Sequence, residues 1–509
     1  MPAKAPETAR HLEVERKFDV VESTVSPSFE GIAAVARVET SPTQELDAVY
    51  FDTATQDLAR NRITLRRRTG GHDAGWHLKL PAGPDARTEV HAPIDASDDA
   101  QTVPTELLDV VLAIVRDRPV EPVARITTRR ETQVLYDSEG TALAEFCNDH
   151  VTAWSVANGS DEQRWREWEL EVLDTDTDTK HTAGHELLSR LSNRLLDAGA
   201  SPAGHGSKLS RVLDSADPAT QTATTQPPVD PVHRAVAQQV EELLVWDRAV
   251  RADAEDSVHQ MRVTIRKIRS LLKDSQDLFG LADGAWVLDE LRELAGILGV
   301  ARDAEVLAER YERRLSQLAP ELVSGPVTER LVNGAQRRYQ LGLRRSLAAM
   351  RSKRYFRLLD ELDAMVAQPP VTAFGQQPRR VTIDAAYKRV RKAAKALRAA
   401  ETAHADEADE KLHVIRKRAK RLRYTAAATG ADRVAKHAKA IQALLGDHQD
   451  SVVSREHLLA QARSAQLAGE DTFTYGLLYQ QESEIGEHSR EQLDALLSKL
   501  DKAVHKSRQ

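Results

Sequence analysis

The hydrophobic pattern of this chain changes completely between its two halves, and this change limits the possible fold more than any other feature. Up to Leu213, short stretches alternate apolar and polar residues, as in Ile63 to Arg68 and Trp165 to Leu173, which is typical of half-buried β-strands. From His233 onward, apolar residues recur at helical spacing among many Ala, Leu, Arg, Glu and Gln residues. The sequence therefore predicts a β-rich part followed by an all-helical part.

A segment without apolar periodicity separates these two parts. Residues 214–231 read DSADPATQTATTQPPVDP, a small, polar and proline-rich composition that is typical of an exposed linker. The length of 509 residues also exceeds what one domain usually contains. We predict a strand domain over residues 1–213, a linker over 214–231 and a helical domain over 232–503. A second proline-rich break divides the helical domain into halves of about 232–366 and 380–503.

Composition excludes several classes of protein. The single cysteine, Cys147, cannot form an internal disulfide or a paired-cysteine zinc site. No apolar run approaches the roughly 18 residues of a membrane helix, and the first residues lack the apolar core of a signal peptide. We therefore expect a cytoplasmic protein without a membrane segment. Its net charge of −7 averages over local runs of strong opposite charge, and those runs carry the functional signals.

Charged residues alternate along the first predicted strand. Because side chains alternate across a strand, Glu13, Glu15 and Lys17 share one face. For a single strand, a solvated face at a sheet edge explains this pattern as well. In a sheet closed into a barrel, however, one face of every strand points inward, so repeated charges indicate a polar interior. Other predicted strands contribute further charges, at Arg66, Arg68, Lys79, Arg129, Glu167, Glu169 and Glu171.

An interior of this kind requires a charged ligand, because unpaired buried charges are costly. Carboxylates are the oxygen ligands that Mg²⁺ and Mn²⁺ prefer, and lysine and arginine neutralise phosphate oxygens. The pattern therefore indicates a metal-bound polyanion, whose hydrolysis would use a metal-polarised water. The candidate metal ligands are Glu13, Glu15, Glu169 and Glu171, and the candidate phosphate-binding cations are Lys17, Arg66, Arg68, Lys79, Arg129 and Lys208.

The ordered set of motifs resembles the CYTH domain of the triphosphate tunnel metalloenzymes. The matching elements are the ExExK strand, the RxR pair, the Trp-x-x-Lys, the acidic ELE strand and the late Ser-Lys in GHGSKLSR. The resemblance implies an eight-stranded antiparallel tunnel that binds triphosphate and a divalent metal. It also implies Asp149 as a further metal ligand, with Glu145 as its competitor, while Arg125 and Arg130 compete with Arg129. The implied catalytic residues are Glu13, Glu15, Lys17, Glu169 and Glu171.

The helical part contains an internal repeat. A histidine followed by basic residues at +3, +7, +8 and +10 occurs twice, and a Leu-Gly-x-x-x-Asp element follows each copy, ending at Asp303 and at Asp450. Offsets of 3, 7 and 10 lie along one helical stripe, so each copy presents a basic face. One copy alone would be interpreted as a solvated face, but two in the same register indicate a bound anion. The first copy comprises His259, Arg262, Arg266, Lys267 and Arg269, and the second, which adds Lys417, comprises His413, Arg416, Lys420, Arg421 and Arg423.

This repeat resembles the CHAD domain, an all-helical fold named for its histidines. The resemblance implies two pseudo-symmetric four-helix bundles around a basic channel that binds inorganic polyphosphate. Asp303 and Asp450 are interpreted as structural residues that pair with arginines or cap helices.

Both resemblances imply ligands of one chemical class. The sequence therefore predicts hydrolysis of inorganic triphosphate with Mg²⁺ or Mn²⁺ in the tunnel and polyphosphate binding by the helices, in the cytoplasm or at polyphosphate granules. The alternative is a non-catalytic protein that localises to polyphosphate or regulates it. Adenylate cyclase and thiamine triphosphatase activities rank lower because no base-recognition motif is visible. Nucleic-acid binding also ranks lower, because few aromatic residues lie among the basic ones.

Overall fold

The computed structural model describes residues 9–83, 85–94, 102–156, 162–173, 178–216, 231–282, 285–367, 383–400 and 405–507. The predicted linker and the break between the helical halves lie almost entirely outside these residues. The chain divides into two compact units, which are described separately. Unit 1 comprises residues 1–268 and 349–369, and unit 2 comprises residues 269–348 and 370–509.

The described strands all belong to unit 1, and the first of them carries the ExExK motif. The strands are β1 (Ala9–Val20), β2 (Arg37–Thr40), β3 (Gln44–Asp52), β4 (Thr64–Thr69), β5 (Gly75–Pro81), β6 (Ala86–Ala92), β7 (Glu121–Tyr136), β8 (Ala142–Ser155), β9 (Gln163–Val172) and β10 (Ser201–Pro202).

Eight of these strands close into an antiparallel barrel. Neighbours are hydrogen-bonded in the order β1, β6, β5, β4, β3, β7, β8 and β9, and β9 pairs again with β1. The strands β2 and β10 pair with β7 and β1 off this ring. Across the closing pair, Glu15 lies opposite Glu171 and Lys17 lies opposite Glu169. The predicted barrel is confirmed, and its closure brings the two acidic motifs together.

Helices make up the rest of the described secondary structure, apart from short 3₁₀ and π turns. The helices are α1 (Asp57–Arg60), α2 (Thr105–Val115), α3 (Asp178–Asp197), α4 (Lys208–Ala216), α5 (Pro231–Arg251), α6 (Ser257–Asp274), α7 (Trp286–Leu315), α8 (Gly334–Met350), α9 (Lys353–Ala367), α10 (Ile383–Ala400), α11 (Ala405–Ala428), α12 (Asp432–Leu467) and α13 (Phe473–Lys506).

Helices cover the apolar outer face of the barrel. Leu188 and Leu191 of α3 are buried in one core with Trp168 of β9. Leu107 of α2 is buried in another core with Trp76 of β5. Because these cores take up one apolar face of β1, β4, β5, β6 and β9, the alternate, charged faces of these strands point into the barrel.

The repeat in the helical part extends to the buried faces of the helices. Counted from each histidine, the positions −1, +2, +6 and +9 are buried and apolar in both α6 and α11. Each basic stripe therefore runs beside the apolar stripe that holds its helix in the core. The buried residues are Val258, Met261, Ile265 and Ile268 in α6, and Leu412, Ile415, Ala419 and Leu422 in α11.

Helices α10 to α13 share one hydrophobic core within unit 2. Val390, Ile415, Ile441 and Leu500 contribute from the four helices, and each is 0% exposed. This four-helix cluster corresponds to the second of the two predicted bundles.

A charged interface joins α2 of the barrel to helices beyond the linker, within unit 1. Asp109 accepts hydrogen bonds from Arg251 at 3.2 Å and from Arg351 at 2.8 Å. Arg116, which follows the last residue of α2, forms ion pairs with Asp360 and Asp363 of α9. The barrel and the helices α5 and α9 are therefore in direct contact.

Candidate functional site

Carboxylates crowd the tunnel along β1 and its two neighbours, β6 and β9. Lys79 lies among them, with its Nζ 2.5 Å from Glu13 and 3.8 Å from Glu89. Glu15 is contacted by Lys17 at 2.8 Å and by Arg87 at 3.8 Å. Burial and a hydrogen bond with Glu89 raise the pKa of Glu13 to about 8. Burial, reinforced by the negative charge of Glu15, raises the pKa of Glu171 to about 7.

These raised pKa values have one physical meaning. Negative charge exceeds positive charge here, so two of the acids hold their protons close to neutral pH. A divalent cation would remove the imbalance, and carboxylate oxygens are the donors that Mg²⁺ and Mn²⁺ accept. The residues present therefore fit the expected metal. Those that would hold it are Glu13, Glu15, Glu89 and Glu171.

A second acidic cluster consists of Asp149, Glu167 and Glu169, whose ligand atoms all lie within 4.8 Å of one another. Lys208 lies 2.9 Å from Asp149 and 2.8 Å from both glutamates. Arg130 donates two hydrogen bonds to Asp149, at 2.8 and 2.6 Å. Because these cations already neutralise its charge, this cluster needs a metal less than the first one does.

Cations converge on the opposite wall of the tunnel. Arg66 and Arg68 from β4, together with Arg130 and Lys208, line a cavity of about 20 Å³. The Nε atoms of Arg66 and Arg68 are buried and find no hydrogen-bond partner among the residues that the structure describes. Burial, followed by the charges of Arg66 and Arg130, lowers the pKa of Arg68 to about 9. Guanidinium groups that repel one another and have donors without acceptors are suited to bind an anion.

Tyr50 adds a hydroxyl group to this wall. It is 4% exposed, and its hydroxyl accepts a hydrogen bond from Arg66 at 3.2 Å. Although burial opposes ionisation, the charge of Arg66 lowers the pKa of Tyr50 below its usual value. The phenol of Tyr50 and the guanidinium of Arg66 therefore line the same cavity, in which an anion would bind.

A larger cavity opens at the end of the tunnel that holds Lys17. Its volume is about 750 Å³. Lys17, Thr64 and Arg87 reach it from the strands, while Asn193 comes from α3 and Ser207 precedes α4. This cavity borders Glu15 and Lys17 of the tunnel, and its volume is that of a small-ligand pocket.

Most of the site residues predicted from the sequence come together in this tunnel. The structure brings together Glu13, Glu15, Lys17, Arg66, Arg68, Lys79, Asp149, Glu169, Glu171 and Lys208. Lys17 links two of the motifs, because its Nζ lies 2.8 Å from Glu15 and 2.5 Å from Glu169. Burial opposes ionisation of Glu15, but the charges of Lys17 and Lys79 outweigh it and lower its pKa to about 2.

Arg129 is the predicted residue that the structure does not bring to the tunnel. Its side chain is 56% exposed and contacts Glu131. The next residue, Arg130, points inward and pairs across the strands with Asp149. Alternate residues of β7 face the same side, and Ile126, Thr128 and Arg130 line the tunnel. Arg129 therefore faces outward, and Arg130 takes the place predicted for it.

Glu89, Arg87 and His77 were missed by the sequence reasoning. The strand ARTEVHA alternates Arg87, Glu89 and His91 with smaller or apolar residues, so its period of two was a usable signal. His77 is 2% exposed and bonds to Glu89 and to the carbonyl oxygen of Asp73. Burial, with the nearby charges of Arg66 and Arg68, lowers the pKa of His77 to about 4.

Each helical basic stripe is partly accessible on its own helix. In α6, His259, Arg262 and Arg269 are half-buried, while Arg266 and Lys267 are exposed. In α11 the half-buried members are His413, Arg416, Lys420 and Arg423, and the exposed members are Lys417 and Arg421.

The Leu-Gly-x-x-x-Asp element of α12 accommodates the second stripe. A Cβ atom on Gly446 would lie 3.6 Å from the guanidinium of Arg416, an ordinary van der Waals distance, so this element packs directly beside the second stripe. Burial raises the pKa of Asp450, and the charges of Arg416 and Arg310 oppose that rise. The charges of two arginines therefore act on Asp450, and its structural role remains a prediction.

Comparisons with known proteins agree with this architecture. A CYTH domain model matches residues 11–200, and a CHAD domain model matches residues 234–459. The chain therefore belongs to the family of proteins that join a CYTH domain to a CHAD domain. Two uncharacterized proteins of Mycobacterium tuberculosis, from strains CDC 1551 / Oshkosh and ATCC 25618 / H37Rv, are 70% identical to it over 518 positions, covering 100% of each chain.

Solved structures resemble parts of the chain. PptA from Streptomyces chartreusis is 21% identical, with a TM-score of 0.43, over 54% of this chain and 100% of that one. The CHAD domain from the plant Ricinus communis is 23% identical, with a TM-score of 0.37, over 53% of this chain and 90% of that one. Among the described residues, no helix has the length and apolar character needed to cross a membrane.

Proposed function

We propose that the tunnel binds inorganic triphosphate together with Mg²⁺ or Mn²⁺ and hydrolyses it to pyrophosphate and phosphate. The helical part, in the same proposal, binds inorganic polyphosphate through its two basic stripes. Both activities recognise one kind of anion, so their fusion raises the local concentration of ligand near the tunnel.

The separation of charge inside the tunnel carries this proposal. One wall holds carboxylates in excess, with the pKa of Glu13 raised to about 8. The opposite wall holds the mutually repelling Arg66 and Arg68, whose buried Nε donors find no hydrogen-bond partner among the described residues. A metal–triphosphate complex has positive charge for the first wall and negative charge for the second, and it therefore relieves both imbalances at once.

In the proposed reaction the chain supplies mainly positioning and charge. Arg66, Arg68 and Arg130 would hold phosphate oxygens through planar guanidinium donors. Lys17 keeps Glu15 and Glu169 in place, because it bonds to both. The bound metal would polarise the attacking water. Water then adds across the terminal P–O–P bond, so no serine, cysteine or histidine nucleophile is required.

Phosphate release from tripolyphosphate by the full-length protein tests the enzymatic part. With Mg²⁺ or Mn²⁺ present, we expect release that is lost in the double variant Glu13→Gln, Glu15→Gln, because both neutral amides are poor metal ligands. The matched control is Glu121→Gln, Glu139→Gln, which changes two exposed carboxylates and should keep the wild-type rate.

A second candidate function is binding without turnover. The carboxylate and cation patches would serve a metal-assisted binding protein equally well, since both hold the same ligand. Calorimetry with tripolyphosphate separates the two: tight binding, with no phosphate release above the Glu13→Gln, Glu15→Gln variant, would replace the enzymatic proposal with a polyphosphate-binding one.

A further inference from the structure

Helix α10 carries a basic face outside both histidine-led stripes. It contains six lysines and arginines but a single acidic residue, Asp384. Lys388, Lys392 and Lys395 lie along its exposed side at spacings of four and three, with Arg389 and Arg391 beside them. Among the described residues, none of these five cations has a hydrogen-bond or ion-pair partner. Within the described part of the chain, this face is therefore a concentrated positive charge without paired carboxylates.

The internal repeat offers a control for this face, because α5 is the equivalent helix of the first half. A shift of 154 residues superposes the buried positions of the two helices. Buried His233, Val236, Val240 and Leu243 of α5 correspond to buried Tyr387, Val390, Ala394 and Leu397 of α10.

The exposed positions of the two helices differ in charge at most places, although Arg234 of α5 corresponds to Lys388 of α10. Gln238 and Glu241 of α5 correspond to Lys392 and Lys395 of α10. Helix α5 carries three arginines and three acidic residues, so its charge is balanced. The fold of the repeat therefore does not require a basic helix at this place.

Concentrating cations on α10 also opposes helix formation. Like charges three or four residues apart repel one another, and Lys388, Lys392 and Lys395 are related in this way. Such repulsion is relieved when an anionic ligand binds. A face that the fold does not need, and that destabilises its own helix, indicates a binding role.

We infer that the exposed face of α10 is an additional docking surface for long chains of inorganic polyphosphate. This inference rests on the polyphosphate binding proposed above for the helical part. The α10 face would lengthen the contact of a chain that also engages α11, because α10 and α11 share one hydrophobic core. It would thereby favour long chains over short ones.

The shape and composition of the face favour a flexible chain of phosphates. A single convex helix has no pocket to enclose a compact anion, and the charges from Lys388 to Lys395 extend along about 10 Å of the helix axis. The exposed residues of α10 are Lys, Arg, Ala and Asp, with no aromatic side chains for base stacking. Nucleic acid is therefore the less suitable occupant.

The test uses the full-length protein and polyphosphate chains of about one hundred units, with affinity measured over a range of salt concentrations. We expect Lys388→Gln, Lys392→Gln, Lys395→Gln to bind at least tenfold more weakly at low salt. By analogy with single-stranded nucleic acids, the slope of log affinity against log salt should fall by about 2. Glutamine already occupies the equivalent exposed position 238 in α5, and circular dichroism would verify that the helices are retained.

The matched control is Lys499→Gln, Lys502→Gln, Lys506→Gln, which removes three exposed lysines from α13 and should change affinity by less than twofold. Wild-type affinity in the α10 variant would overturn the inference while leaving the proposed polyphosphate binding intact. No binding by the wild type would overturn both. If the α10 variant lost affinity for duplex DNA and not for polyphosphate, nucleic acid would replace polyphosphate as the occupant.

Discussion

Strand parity decides which arginine of β7 can reach a ligand in the tunnel. Arg130 forms a two-point hydrogen bond with Asp149, which is 0% exposed, whereas the side chain of Arg129 is 56% exposed. The two residues are chemically identical and adjacent in sequence. Substitutions at these two positions therefore compare a change inside the barrel with the same change on its surface.

Replacing each of these arginines by lysine should give different results. In Arg130→Lys the planar donors are lost, so we expect the affinity for tripolyphosphate with Mg²⁺ to fall about tenfold or more. In Arg129→Lys we expect no change. Isothermal calorimetry measures both, and thermal melting verifies that the variants fold. Equal losses in the two variants would contradict the assignment of Arg130 to the tunnel.

His457 on α12 is held neutral by its hydrogen bonds. Arg338, which can only donate, lies 2.9 Å from Nε2, so this nitrogen must accept and carry no proton. Nδ1 lies 2.9 Å from the hydroxyl of Tyr311. Burial, together with the charge of Arg338, lowers the pKa of His457 from 6.5 to about 4.

This shift predicts a loss of stability in acid. Between pH 6.5 and about pH 4 the unfolded chain binds a proton at His457 and the folded chain does not, so stability falls as pH is lowered through this window. Because the ring is partly exposed, we expect a loss of only about 1 kcal/mol between pH 7 and pH 5. Urea unfolding at both pH values measures it. The difference should shrink in His457→Gln, and an unchanged difference would contradict this origin.

Close helix crossings in unit 2 depend on glycine. A Cβ atom on Gly342 of α8 would lie 2.7 Å from the backbone nitrogen of Ala301 on α7. A Cβ atom on Gly486 of α13 would lie 3.2 Å from Ser451 of α12, in the equivalent crossing of the second half. The first crossing is therefore limited by backbone atoms, whereas the second is limited by the side chain of Ser451.

Adding one methyl group to the first crossing should be destabilising. We expect Gly342→Ala to lower the free energy of unfolding by about 2 kcal/mol, because backbone atoms cannot move aside as side chains do. Gly476→Ala is the matched control, since a Cβ atom there would meet nothing within 4 Å and alanine favours the helix. Urea unfolding compares the two variants. A stable Gly342→Ala variant would mean that α7 and α8 can separate slightly without cost.

The barrel and helices that follow the predicted linker belong to one compact unit. Unit 1 contains the barrel together with α5 and α9, which lie beyond the linker. Arg116 is central to this contact, because its side chain is only 6% exposed and pairs with Asp360 and Asp363. Its φ of 60° and ψ of −125° also place it in a conformation that favours glycine.

Two substitutions of Arg116 distinguish the contribution of its ion pairs to stability from the cost of its backbone conformation. Arg116→Ala should lower the free energy of unfolding of unit 1 by about 2 kcal/mol, since the contacts to α9 are lost. Arg116→Gly loses the same contacts but relieves the backbone, so we expect it to be about 1 kcal/mol more stable than the alanine variant. Tryptophan fluorescence follows unit 1, which holds Trp76, Trp154, Trp165, Trp168 and Trp246. Wild-type stability in both variants would exclude a stabilising role for this interface.

Much of the architecture follows from local patterns. The change from a period of two to helical spacing predicted the barrel and the helices, because periodicity is a property of neighbouring residues. The repeated histidine and Leu-Gly-x-x-x-Asp elements predicted the duplication, which also appears in the buried faces of α6 and α11. Glu13, Glu15 and Lys17 could be selected from one strand, because their alternation is visible within five residues.

Other features required the tertiary structure, because they depend on which strands and helices become neighbours. Only closure of β1 on β9 places Lys17 between Glu15 and Glu169. Glu89 becomes part of the site because β6 lies beside β1. The contact of α2 with α9 joins residues about 240 positions apart, and nothing in the composition of either segment indicates it. Electrostatic and packing energies act between neighbours in space, so sequence order alone cannot assign them.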